Sequence, residues 1–178
     1  MKNSRLIVFV EPQLKEVLLF EWAMKQLKVH NPIRIMQKTR ELRAYLEGEG
    51  PYANRELFPF PVAILLDLDL PGLEAAQFLH WLRNKSSCKN IPVIGVSEFE
   101  VSRRVQAFFD LGLSAFFQKR LNLEQTLECL REIDILQDIL DREAAPLKQP
   151  AKASVPQQPA FPFISATQSS RGAGEARL

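Results

Sequence analysis

Five short runs of apolar and β-branched residues alternate along the chain with longer segments in which apolar positions recur every three or four residues. That alternation predicts strands interleaved with helices, the order of an α/β fold with a parallel sheet. The runs are Leu6 to Val10, Ile33 to Gln37, Val62 to Asp67, Ile91 to Ser97 and Ala115 to Gln118. Between them, Val17, Phe20, Met24 and Leu27 form one helical stripe, Ala75, Phe78, Leu79 and Leu82 a second, and Val101, Val105, Phe108 and Gly112 a third. Thr39 to Gly48 reads as a shorter helix, capped by Thr39 and ended by Gly48. The last helix is expected to start at Asn122, a suitable N-cap, and to run to about Arg142. Its apolar face comprises Leu123, Leu127, Leu130, Ile133, Leu136, Ile139 and Leu140. The first half of that face should cover the sheet, and the second should project past the domain.

Right-handed crossovers place successive helices on the two sheet faces. A five-stranded unit of this length suits the strand order 2-1-3-4-5 of the doubly wound, flavodoxin-like α/β fold, which binds ligands at the carboxyl ends of its strands. After Glu143 the composition turns to Pro, Ala, Gln and Ser, as in APLKQPAKASVPQQPAFPF followed by SATQSSRGAGEARL. Such a stretch cannot bury enough apolar surface to offset its ordering entropy, so residues 144–178 are expected to be a disordered tail behind a domain of residues 1–143.

The totals narrow the function classes. Of 178 residues 46% are apolar and 25% charged, and the net charge is only +2, a balance that points to neither nucleic acid nor membrane. No apolar run approaches the ~20 residues that cross a bilayer, and MKNSRLIVFVEP carries no small-residue cleavage site, so the expected location is cytoplasmic. Cys88 and Cys129 have no metal-ligand spacing and read as reduced thiols. His30 and His80 fall outside the strand ends and are expected on the surface.

Four polar groups end four of the apolar strands. Asp67 closes VAILLD at the carboxyl end of the central strand, Glu11 follows VFV on its neighbour, Ser97 closes IPVIGVS, and Lys119 follows AFFQ. An aspartate that attacks a phosphoryl group becomes an acyl phosphate, and concentrated negative charge must then be neutralised nearby. Lys119 and a Mg²⁺ ion held by carboxylates at adjoining strand ends suit that task. Ser97 is placed to hydrogen-bond a phosphoryl oxygen and so to link phosphorylation to the distant surface.

With VEP, LLDLDLPG, IPVIGVS and FFQK in this order, the chain resembles the receiver domains of two-component response regulators over roughly Arg5 to Ile135. The spacings of thirty residues from Asp67 to Ser97 and twenty-two from Ser97 to Lys119 match that family. The stretch AYLEGEGPYANRELFPFPVAILLDLDLP is further similar to the cyanobacterial-phytochrome response regulators. The resemblance implies phosphotransfer from a histidine kinase, phytochrome-like, to Asp67. It also implies Mg²⁺ held by Glu11, Asp67 and the main-chain carbonyl of Asp69, with Ser97 and Phe116 as switch residues. Output through a downstream protein partner and a homodimer through the last helix, its predecessor and the fifth strand are expected. Neither a DNA-binding output unit nor turnover as an enzyme is.

Several residues depart from the family pattern. The second of two consecutive acids, a direct metal ligand in the family, aligns with Pro12, which has no carboxylate; Gln13 and the Asp69 side chain are the candidates to replace it. Arg120 stands where proline usually follows the lysine, so no cis peptide is expected, since a non-proline cis bond costs ~3 kcal/mol. Glu98 puts a bulky anion where a small residue is customary and should repel a phosphoryl donor, while Phe116 can rotate but lacks a hydroxyl. A rival reading is therefore a degenerate pseudo-receiver that works as an interaction module without phosphorylation. A remote one is a haloacid-dehalogenase-type phosphatase, with Asp67 as nucleophile and Asp69 as acid and base.

Overall fold

A computed structural model describes residues 5–99, 103–119 and 122–140. Val101, Arg120, Arg142 and the expected tail of residues 144–178 lie outside the described residues.

The strands are β1 (Ile7–Val10), β2 (Ile33–Met36), β3 (Ala63–Asp67), β4 (Val93–Ser97) and β5 (Ala115–Gln118). They pair in parallel in the order β2-β1-β3-β4-β5, the expected doubly wound sheet of the receiver, flavodoxin-like fold. Strand ends differ from the sequence reading by at most two residues. The helices are α1 (Leu14–Gln26), α2 (Thr39–Glu47), α3 (Glu74–Asn84), α4 (Arg103–Asp110), α5 (Leu123–Glu132) and α6 (Asp134–Ile139).

Strands covered on both faces lose the polar alternation of half-exposed strands, and β1, β3 and β4 are buried at every position. Alternate residues feed two cores. Val8, Val10, Ile64 and Leu66 pack with Leu42 of α2 and Phe78, Leu79 and Leu82 of α3, whereas Ile7, Phe9, Leu65 and Ile94 pack with Phe20 and Met24 of α1 and Leu130 of α5. Each such fully buried side chain contributes roughly 1.5–3 kcal/mol relative to exposure. Gly95 marks a close approach between layers: a Cβ there would lie 2.7 Å from Leu68 Cδ1 and 2.9 Å from Leu113 Cδ2.

Helix ends show which local signals held. Asn122 caps α5 by accepting the Gln125 amide at 3.0 Å, and Gly48 closes α2 with φ +73°, where a side chain would be strained. Thr39 is not the cap of α2. Lys38 occupies that position, and Glu74 of α3 accepts both the Thr39 amide at 3.0 Å and its hydroxyl at 2.7 Å. A carboxylate from another helix thus serves the positive end of α2.

The expected single last helix is two. Ile133 adopts extended angles (φ −83°, ψ 99°) between α5 and α6, and Gln137 Nε2 donates to the Leu130 carbonyl at 2.7 Å, satisfying a group that the break would otherwise orphan. Ile133, Leu136 and Leu140 are buried in the same core as Ile7 and Phe9 instead of projecting past the domain, and Arg5 donates to the Asp138 carbonyl at 2.5 Å. The break turns the second half of the apolar face onto the protein's own sheet. Those residues are consequently withdrawn from the expected dimer surface.

Helix α1 is apolar on two sides. Val17, Phe20 and Met24 face the core, while Leu14, Leu18 and Trp22 form an exposed ridge at helical spacing. No helix among the described residues is long and apolar enough to cross a membrane. His30 and His80 are exposed, and Cys88 and Cys129 are free thiols.

Candidate functional site

Register brings the strand-end groups together. Val10 pairs with Leu66, so Glu11, one residue on, stands beside Asp67; Asp67 pairs with Val96, and Ser97 pairs with Gln118, one residue before Lys119. Main-chain hydrogen bonds extend this order past the strands, from the Glu11 amide to the Met36 carbonyl at 2.9 Å, Leu68 to Val96 at 2.8 Å and Lys119 to Ser97 at 2.7 Å. Glu11, Asp67, Ser97 and Lys119 therefore share one end of the sheet, as their sequence positions predict.

Lys119 is the centre of the cluster. Its Nζ lies 2.8 Å from Glu11 Oε2 and 3.0 Å from Asp67 Oδ1, with all three side chains at most 4% exposed. Lys119 Nζ and Glu11 Oε2 are both buried, and each is the other's charge partner. Main-chain amides hold the carboxylates as well: Gln13 donates to the other Glu11 oxygen, Oε1, at 2.9 Å, and Asp69 donates at 2.9 Å to Asp67 Oδ1, the same oxygen that Lys119 contacts.

Two buried anions share one buried cation. Burial pushes the Glu11 carboxyl up, against the pull of Lys119 and the Gln13 amide, and Asp67 contributes further repulsion. The Asp67 carboxyl is likewise raised by burial, against the Asp69 amide and Lys119. For Lys119, burial acts downward but the two carboxylates outweigh it and hold the ammonium above its ordinary value. The directions agree once the sharing is counted, because Lys119 gains from two partners whereas each acid has half of one.

Pro12 is exposed and adds no carboxylate, and Gln13 reaches Glu11 through its main-chain amide. Among the described residues no three His, Cys, Asp or Glu side chains converge as a metal-holding group. The Asp69 carboxylate is turned to the end of β4, where Oδ1 accepts the Ser97 hydroxyl at 2.8 Å and Oδ2 the Glu98 amide at 2.7 Å. This grip was not legible in the sequence, where Asp69 stands out only as a second acid two residues after Asp67. Phe116 is half-buried against the α2–α3 side of the core, and Phe117 is buried on the α1–α5 side. Glu98 is exposed, its carbonyl accepting from Gln118 Nε2 at 3.0 Å.

A five-stranded doubly wound sheet with an aspartate on its central strand, flanked by a strand-end acid, hydroxyl and lysine, is a receiver-type arrangement. Comparison with known proteins agrees. No protein-family profile matches the chain. The response regulator Rcp1 of Synechocystis is 25% identical over 130 residues, which cover 73% of this chain and 86% of Rcp1. The crystal structure of the phosphorylated cyanobacterial phytochrome response regulator RcpA matches with a TM-score of 0.65 and 27% identity, over 74% of this chain and 92% of that one. The Mn²⁺-bound form of Rcp1 matches with a TM-score of 0.65 and 24% identity, over 80% of this chain and 99% of that one. The chain is homologous to the cyanobacterial phytochrome response regulators Rcp1 and RcpA, and the structures it resembles are receiver-domain response regulators.

Proposed function

We propose that this chain is a response regulator that accepts a phosphoryl group on Asp67 from a histidine kinase, phytochrome-like, and signals through protein contacts. The observation that carries the reading is the buried contact of Lys119 Nζ with Asp67 Oδ1 at 3.0 Å, in a chain homologous to phytochrome response regulators. In the transfer an Asp67 oxygen attacks the phosphorus of a phosphohistidine. The P–N bond breaks, its electron pair returns to the imidazole, which takes up a proton, and the new O–P bond leaves an acyl phosphate on Asp67. Lys119, in contact with Asp67 Oδ1, would supply positive charge to the transferred phosphoryl group.

The residues present suit a water-rich divalent cation, Mg²⁺ in this proposal. Glu11 Oε2 is buried with Lys119 as its charge partner, Asp67 is adjacent, and Mg²⁺ commonly takes one or two carboxylates and keeps several waters. Glu11, Asp67 and the Asp69 main-chain carbonyl would hold it. When bound it would add charge neutralisation for the phosphoryl group, a role for which Pro12 offers nothing. The α1 ridge of Leu14, Leu18 and Trp22 supplies apolar surface for protein contacts.

A second reading, the phosphorylation-independent module, is favoured by the Asp69 side chain, which already occupies Ser97 and Glu98. Those hydrogen bonds also count against a phosphatase, in which that carboxylate would be needed for proton transfer. Incubation with a small phosphodonor and Mg²⁺, followed by intact mass, separates the first two readings. A single phosphoryl adduct on the wild type and none on Asp67→Asn supports phosphotransfer; an unmodified wild type leaves the module.

A further inference from the structure

The end of β4 offers two donors toward the acceptor strand: the Ser97 hydroxyl and the Glu98 amide. Both are already satisfied by one carboxylate, with Asp69 Oδ1 2.8 Å from Ser97 Oγ and Oδ2 2.7 Å from the Glu98 nitrogen. A bidentate carboxylate is close in charge and geometry to two oxygens of a phosphoryl group, and charge-assisted hydrogen bonds of this length are the strong ones. The same peptide segment is fixed from other sides. Phe99 donates its amide to Ser97 Oγ at 3.1 Å, and Gln118 of β5 donates to the Glu98 carbonyl at 3.0 Å. On the acceptor side Arg104 of α4 donates to the Leu68 carbonyl at 3.1 Å, between Asp67 and Asp69.

We propose that the Asp69 carboxylate is an internal anion for the switch, holding Ser97 and Glu98 as a phosphoryl group on Asp67 would. The end of β4, and through it β5, is then set without phosphorylation. An incoming phosphoryl group must displace Asp69 from both donors against like-charge repulsion. Asp69 acts here as a positioning residue. This inference rests on the reading of Ser97 as the hydroxyl that meets the phosphoryl group, and it assigns to the site a competitor carried two residues from the acceptor.

The test is amide hydrogen exchange at Glu98, followed by NMR on the full chain with no phosphodonor present. Slow exchange is expected in the wild type, with acceleration of at least about tenfold in Asp69→Ala, the effect of losing one hydrogen bond to a charged group. Equal exchange in the two proteins overturns the proposal. Should Asp69→Ala not fold, the wild type alone decides. A scalar coupling across the hydrogen bond between the Glu98 nitrogen and the Asp69 carboxyl carbon supports the proposal, and its absence overturns it.

Beryllofluoride with Mg²⁺ then tests the competition. It should bind Asp69→Ala about tenfold more tightly than the wild type and restore slow exchange at Glu98. Equal affinities overturn the claim that Asp69 competes. Beryllofluoride that binds neither protein refutes Asp67 as phosphoryl acceptor, and the exchange measurement still decides whether Asp69 is the internal anion.

Discussion

Replacing Lys119 by methionine keeps most of the side-chain volume and removes the only cation that contacts Glu11 and Asp67 among the described residues. At 3.0 Å, one Lys119–Asp67 contact corresponds to about 5–6 kcal/mol at an effective dielectric constant of 20. Protonation limits the loss, because a carboxylate left without its cation takes up a proton. With ordinary values of 3.8 for Asp67 and 4.5 for Glu11, neutralisation at pH 7 costs at most about 4 and about 3 kcal/mol, at 1.36 kcal/mol per pH unit. At pH 5 the same ceilings fall to about 1.6 and about 0.7 kcal/mol. We therefore expect Lys119→Met to lose about 3–5 kcal/mol at pH 7, the usual result of breaking a buried pair, and under about 2 kcal/mol at pH 5.

The direction with pH follows from the shifts in the native protein. Lys119 is held above its ordinary value, so its stabilisation is complete below that value and is lost only as pH rises through the elevated one. Both carboxyls are also raised, so their ionisation costs stability as pH rises from the ordinary carboxylate range. Without Lys119 that costly window widens upward. Urea unfolding of both proteins at pH 5, 6 and 7 is the assay. A loss that does not change with pH, or one below about 1 kcal/mol at pH 7, would refute the electrostatic reasoning.

Three further outcomes follow from other contacts. Asp67→Asn should stabilise the chain by about 0.5–2 kcal/mol at neutral pH, since it removes an anion whose burial is unfavourable yet keeps an acceptor for the Asp69 amide; thermal unfolding that shows a lower midpoint contradicts this. Arg83 donates to the carbonyls of Gly112, Lys89 and Ile91 at 2.7–3.0 Å, so Arg83→Ala should cost about 2–4 kcal/mol in urea titrations, with its partners left half-satisfied. Gly95→Ala should cost about 1–3 kcal/mol by forcing Leu68 and Leu113 aside, and a variant with the wild-type melting temperature would mean that those side chains give way freely.

Period and punctuation made the fold legible. Every strand was marked by an apolar run, and the α3 stripe of Ala75, Phe78, Leu79 and Leu82 is buried throughout. Glu11, Asp67, Ser97 and Lys119 could be placed together because all four end apolar strands of one parallel sheet. What escaped depends on long-range partners. Thr39 looked like a cap, but the capping oxygen comes from Glu74, thirty-five residues away. Ile133 continues the helical period of its neighbours, and only tertiary burial of Leu136 and Leu140 reveals a break there. The Asp69 grip on Ser97 and Glu98 spans twenty-eight residues at its shorter reach, and no local pattern encodes it.

A titration with beryllofluoride and Mg²⁺, followed by ¹⁹F NMR on wild type and Asp67→Asn, tests the phosphoryl-acceptor claim most directly. Saturable, Mg²⁺-dependent binding by the wild type that vanishes in Asp67→Asn is the predicted result. Binding that survives in Asp67→Asn, or that never appears in the wild type, contradicts it.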